Sequence, residues 1–193
     1  MSAVYTIAAY PKTVQLRDQS KAVVRPLAAG DGDALLAFFL SIPEEERFFL
    51  KHEVTAPAVV SGWVQNLDFH RVLPLVALED DRIVGEAVLV RKRGPARSHL
   101  GELRIVVAPD YRDKGLGTIL IRELCDIASD AEFTGILLEV IPDAEREAYE
   151  TAQWLGFIRT GTIEGGARDQ RGALHDVALM VMPLGKWYEW SKY

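Results

Sequence analysis

The residues best suited to chemistry lie together at Arg112-Asp113-Lys114-Gly115-Leu116-Gly117, with Thr118 next. An apolar, β-branched run over residues 103–108 precedes them, and Pro109-Asp110-Tyr111 makes a turn. A pattern of helical period follows. A strand, a glycine-rich loop and a helix start, in that order, present free N–H groups and a positive dipole end to an anion. Gly115 and Gly117 allow backbone approaches that a Cβ would obstruct. The N–H groups of residues 114–118 are then expected to converge on a pyrophosphate, with Arg112 and Lys114 adding positive charge. By spacing alone the same residues also read as an ordinary tight turn. The pattern is neither a Walker loop nor Gly-x-Gly-x-x-Gly.

Several elements must hold this loop. Its helix has a wet side of Thr118, Arg122, Asp126 and Ser129 and a dry side of Leu116, Leu120, Leu124 and Ile127. Upstream, alternation at Val14 and Leu16, a polar turn at Asp18-Gln19-Ser20 and a run over 21–27 predict a hairpin that Pro26 ends. Asp31 and Asp33 are suited to cap a helix carrying Leu35, Leu36, Phe38, Phe39 and Leu40. Residues 44–52 read as a short helix or a loop. Pro57 opens a helix running to about Leu67. Residues 72–79 and 82–90 read as strands around an Asp80-Asp81 turn. Residues 91–98 form a basic loop. Downstream come a strand at 135–141, a helix at 145–155 stopped by Gly156, a strand at 157–163, a flexible glycine-containing loop at 164–172 and a strand at 176–182. Hairpins come first and strand–helix–strand crossovers follow. The fold class is therefore α+β: a mixed, mostly antiparallel central sheet flanked by helices on both faces.

The 193 residues suit one domain: an extension over 1–20 with a short hairpin strand, a main unit over 21–182 and an aromatic tail over 183–193. The formal charge of −6 argues against a general nucleic-acid binder. Cys125 is the single cysteine, so no disulfide within the chain is possible. No run approaches the length of a spanning helix and no signal peptide is legible, which leads us to expect a cytoplasmic protein without membrane contact. His52, His70, His99 and His175 have no metal-ligand spacing, and no metal is expected.

Taken together, the apolar strand, the Val-x-Pro-x-x-Arg turn and Arg-x-x-Gly-x-Gly opening a helix resemble the acetyl-CoA-binding motif of the GNAT acetyltransferase superfamily. The resemblance extends to Arg25-Pro26-Leu27 with Asp31, to Val84-Gly85, to Ala148 and Leu155-Gly156-Phe157, and to the strand from His175-Asp176-Val177 to Met182. It covers roughly residues 21–182. Within the superfamily, His99-Leu100-Gly101-Glu102 and Lys114-Gly115-Leu116-Gly117 look most like bacterial protein-lysine acetyltransferases. The resemblance implies the acyl-CoA N-acyltransferase fold and acetyl-CoA, held by Val106, Val107, Arg112, Asp113, Lys114, Gly115, Leu116, Gly117 and Thr118. It also implies an amine acceptor, a protein lysine or a small molecule.

An alkylammonium must lose a proton before it attacks a thioester. The resemblance makes Glu102, ten residues before Arg112, the general base. Its other reading is a strand-end acid paired with Arg104. Backbone groups of Val106 and Val107 are expected to pair with the pantetheine arm. The family's frequent tyrosine acid falls on Ala152 here, and its asparagine on Glu145. Tyr149 stands one turn before Ala152 and is a weak substitute; protonation of the thiolate by water is favoured. His99 is a secondary candidate for proton shuttling. Phe48, Phe49 and Trp63 are candidate walls of an acceptor pocket, or core residues, and the aromatic tail is suited either to cover a hydrophobic face or to pair with a second subunit in a homodimer. A non-catalytic acyl-CoA sensor is the rival from another class.

Overall fold

The computed structural model describes Tyr5 and residues 7–185. The tail expected to form an apolar surface lies outside the described residues from 186 onward. One sheet of eight strands runs through the molecule in the order β1-β2-β3-β4-β5-β6-β8-β7. The strands are β1 (Lys12–Gln15), β2 (Lys21–Pro26), β3 (Val72–Glu79), β4 (Arg82–Arg91), β5 (Leu100–Val107), β6 (Gly135–Val140), β7 (Ile158–Arg168) and β8 (Leu174–Pro183). The helices are α1 (Gly32–Ser41), α2 (Glu44–Arg47), α3 (Pro57–Gln65), α4 (Leu116–Asp130) and α5 (Arg146–Leu155). Every pairing is antiparallel except β5 with β6.

Side-chain alternation sorts the central strands onto two faces. A Cβ at Gly85 would meet Leu120 and Leu116, and one at Gly101 would meet Leu89 and Phe133. The odd-numbered side of β4 and β5 is therefore packed under α4. The dry side of α4 is buried as its periodicity requires: Leu116, Leu120, Leu124 and Ile127 are each no more than 4% exposed. The even-numbered side carries Glu86, Val88 and Val90 on β4 and Glu102, Arg104 and Val106 on β5. It faces α1, α3 and the loop after α2, where Phe39 and Trp63 share a cleft with these residues. The only two buried polar side chains among the described residues, Glu86 and Glu102, are both on this side.

Three local features depart from the sequence-based expectation. Asp31 flanks α1 without a side-chain capping bond. Its carboxylate instead takes both guanidinium nitrogens of Arg25 and the N–H of Ala28, because a charged partner outbids an orphan amide. Residues 164–168 continue β7 rather than forming a loop. The glycines are absorbed where the register shifts between Ile163 and Ala167, with Gly165 at φ +57 and its N–H donated to Asp176 Oδ1. Residues 44–47 resolve as helix, and the chain turns out of it before Lys51.

Candidate active site

The parallel register of β5 and β6 is short. Leu100 pairs with Gly135, Gly101 with Ile136 and Glu102 with Leu137, and there the pairing ends. Beyond Glu102 the strands part, leaving the backbone edge of residues 103–107 without a neighbouring strand. A cleft of about 1220 Å³ occupies this side of the sheet and runs from the loop at Arg112 to the acids on β4 and β5.

Which backbone groups face the opening follows from the ladder to β4. Ala108 donates to the carbonyl of Val84, and Lys92 donates to the carbonyl of Leu100. Antiparallel hydrogen bonding alternates, so the even-numbered residues of β5 use their backbone groups on β4. Val107 therefore offers its N–H and C=O to the opening, as does Ile105, which the sequence did not single out. Val106 contributes a side chain to the cleft, while its backbone is engaged opposite Glu86.

At the loop end, Gly115 stands at φ +82 as the N-cap of α4, with no side-chain capping bond. The left-handed value is available to glycine at little cost. No acceptor among the described residues takes the N–H groups of Gly115, Leu116, Gly117 and Thr118, and the first amide to find one is Ile119, on the Gly115 carbonyl. Four unpaired amides at a helix start fit a pyrophosphate. Arg112, Asp113, Gly115, Leu116, Gly117 and Thr118 line the cleft, whereas Lys114 does not. Lys114 pairs with Asp18 at 3.0 Å and lies 4.5 Å from the Tyr111 ring centre. Arg112 is bound by both oxygens of Glu46. Arg17, missed in the sequence, reaches this end. Its N–H donates to the Lys114 carbonyl at 3.0 Å, and its side chain lies against Gly115 and lines the cleft without a carboxylate partner among the described residues.

At the other end, Glu102 is 6% exposed. It accepts from Lys51 Nζ at 2.8 Å, from Arg104 Nε at 2.9 Å and from Lys92 Nζ. Burial alone would push its carboxyl up, but these three cations overcome that and hold it at about 2. The pairing with Arg104 was foreseen, and the two lysines were not. Lys51 Nζ also lies 2.8 Å from Glu139 on β6, so it spans the parted strands at their apex. Glu86, on the neighbouring strand, has no hydrogen-bond or ion-pair partner among the described residues, and burial pushes its carboxyl up to about 7 against the opposing field of Arg104. A charged residue in the apolar run of β4 was the signal that could have found it.

The remaining candidates sort plainly. Ala152 is fully buried. Tyr149 lies outside the cleft, with its hydroxyl near Gln153 Nε2 at 3.4 Å. Glu145 lines the cleft and accepts the Ile141 N–H at 2.7 Å. His99 is exposed. Phe49 and Trp63 wall the cleft, while Phe48 is 49% exposed outside it. Burial raises the Cys125 thiol to about 12, which leaves it a packing residue. Among the described residues no group of three or more metal-ligating side chains could hold an ion, and no helix is long and apolar enough to cross a membrane.

Comparison with solved structures gives the same architecture at low identity. A GNAT-family acetyltransferase of Streptococcus pneumoniae matches with a TM-score of 0.72 at 23% identity, over 84% of this chain and 99% of its own. The GNAT domain of S. lividans PAT matches with 0.77 at 19%, over 92% and 98%. YncA of Salmonella typhimurium, solved with its cofactor acetyl-CoA, matches with 0.73 at 17%, over 86% and 96%. No curated protein matches. The model of the acetyltransferase (GNAT) family matches residues 36–157, more than half of the chain. On that match the chain belongs to the acetyltransferase (GNAT) family, enzymes that move an acetyl group from acetyl-CoA to an amine.

Proposed function

We propose that this chain acetylates a primary amine, a protein lysine before a small molecule, by direct attack in a ternary complex. One observation carries the acceptor reading: a lysyl ammonium, that of Lys51, already sits at the apex of the parted strands, 2.8 Å from Glu102 and 2.8 Å from Glu139. The cleft thus accommodates a lysine side chain where the acyl group is expected. The lysine preference is also in keeping with the likeness to the GNAT domain of S. lividans PAT.

The free amides of residues 115–118 would hold the pyrophosphate, with Arg112 and Arg17 beside it. Bound acetyl-CoA supplies the thioester. The backbone groups of Val107 and Ile105 would align the pantetheine arm and polarise the thioester carbonyl. Glu102 receives the acceptor ammonium once that group displaces Lys51, since in the free protein three cations occupy it. No side-chain acid stands at Ala152, so water protonates the departing thiolate, which is acidic enough to leave.

The test is a panel of lysine peptides, polyamines and aminoglycosides with acetyl-CoA, read by thiol release, alongside calorimetry with CoA. We expect CoA binding and greatest release with a lysine peptide. Release with small amines alone moves the acceptor to that class. CoA binding without release from any amine favours a sensor, and no CoA binding overturns both readings.

A further inference from the structure

Glu86 has the environment of a functional group without an assigned function. It is 7% exposed, on the same face of the sheet as Glu102, and its carboxylate lines the same cleft. At 7% exposure and with no hydrogen-bond or ion-pair partner among the described residues, its charged form is disfavoured by burial. Glu102, similarly buried, is held charged by three cations. Arg104, the cation whose field acts on Glu86, is already committed to Glu102 and to His52 Nε2 at 2.8 Å. The charged residues that line the cleft from elsewhere include Glu45 and Glu46 on α2, Lys51 and His52 after it, Asp68 and Arg71 before β3, Lys92 after β4 and Glu139 on β6; α1 and α3 bring only uncharged side chains.

Its position is set by register. Glu86 is the cross-strand partner of Val106, and facing residues on neighbouring strands stand about 5 Å apart with side chains on one face. Val106 lies between Ile105 and Val107, whose backbone groups face the opening. Glu86 is therefore one strand away from the place proposed for the thioester, on the side where an amine would approach.

We propose that Glu86 is the group that takes the proton from the acceptor ammonium. This rests on the acetyl-transfer reading above. The ammonium gives one proton to the Glu86 carboxylate, directly or through water in the cleft. The nitrogen lone pair then forms a bond to the acetyl carbonyl carbon. The carbon–sulfur bond breaks and its electron pair leaves on sulfur. The second proton of the nitrogen passes through water to the thiolate, and Glu86 releases its proton to solvent. The products are amide, CoA thiol and one proton. Two carboxylates divide the work: Glu102 orders the cations and the amine seat, and Glu86 accepts the proton. The direction of their perturbations agrees. Transfer from an alkylammonium to a carboxylate near 7 is uphill by about three powers of ten, against about eight for one near 2.

The experiment compares the full chain with Glu86→Gln, Glu86→Asp and Glu102→Gln, using the amine of the panel that gives the fastest thiol release. Glu86→Gln is expected to lower kcat about 100-fold with KM for acetyl-CoA unchanged, and to abolish the acidic limb of the kcat/KM profile near pH 7. Glu86→Asp should restore part of the rate, and Glu102→Gln should keep the limb. Carboxyl-labelled glutamate followed by NMR in the free protein should show one carboxyl titrating near 7 that disappears in Glu86→Gln. A limb that survives in Glu86→Gln, or vanishes in Glu102→Gln, overturns the proposal, as does the absence of that titration. A wild type that turns over no amine overturns the acetyl-transfer reading instead.

Discussion

The two ends of the cleft work on different principles. At the loop end the useful groups are four consecutive amides, and one glycine angle and one helix start suffice to aim them. At the acid end the useful groups are side chains from distant segments: Lys51, Glu86, Lys92, Glu102, Arg104 and Glu139. The first site is made by local backbone geometry and the second by long-range charge balance. A substitution at the loop should therefore act through conformation, and one at the acid wall through electrostatics.

The largest expected effect contrasts the two acids. Glu86 has a raised pKa, so its contribution to stability is fully present below the ordinary carboxylate range and is lost as pH rises through about 7. Relative to wild type, Glu86→Gln should gain about 2–3 kcal/mol of unfolding free energy between pH 5 and pH 8, measured by urea denaturation at each pH. A constant difference would place Glu86 in water. Glu102 behaves oppositely. Its depressed pKa gives stability that is present above the ordinary range and lost as pH falls through about 2. Glu102→Gln should cost about 2 kcal/mol at pH 7, less than a fully buried pair because the lysines are partly exposed. A melting temperature equal to wild type would show that the cations find other partners.

Smaller effects belong to the loop. Gly115→Ala must hold φ +82 with a Cβ placed 3.3 Å from Arg17 Nε. Strain of about 1 kcal/mol should weaken CoA roughly fivefold while the melting curve moves little, and unchanged affinity by calorimetry would remove the loop from the site. Smallest is Glu46→Gln. Freeing Arg112 from its carboxylate should tighten CoA about threefold, an effect that shrinks with added salt. Weaker binding would mean that Glu46 positions Arg112 rather than competing for it.

The contrast between the ends also explains what the sequence made legible. Gly115, the buried stripe of α4 and the Pro109 turn are local signals, and the order of strands and helices follows from their periods. The tertiary uses of side chains were not legible. Asp31 reads as a cap until Arg25 is folded back onto it, and Lys114 reads as a phosphate ligand until the hairpin brings Asp18 beside it. The strand alternation hid the backbone phase of Val106 and Val107, because the choice depends on which residue of β4 each one meets. Glu86 was visible only as an oddity of composition within a strand, and its missing partner could be established only in three dimensions.

Lys51 makes the amine seat a contested one. Its ammonium is tethered to the chain a few residues after α2, so it competes for Glu102 at a local concentration that no dilution reduces. The apparent affinity of any incoming amine is lowered by the fraction of time Lys51 is seated. An acceptor with only one ammonium to offer bears that whole penalty. One anchored by further contacts around the cleft can offset it, so the tethered lysine acts as a built-in threshold on which amines are admitted.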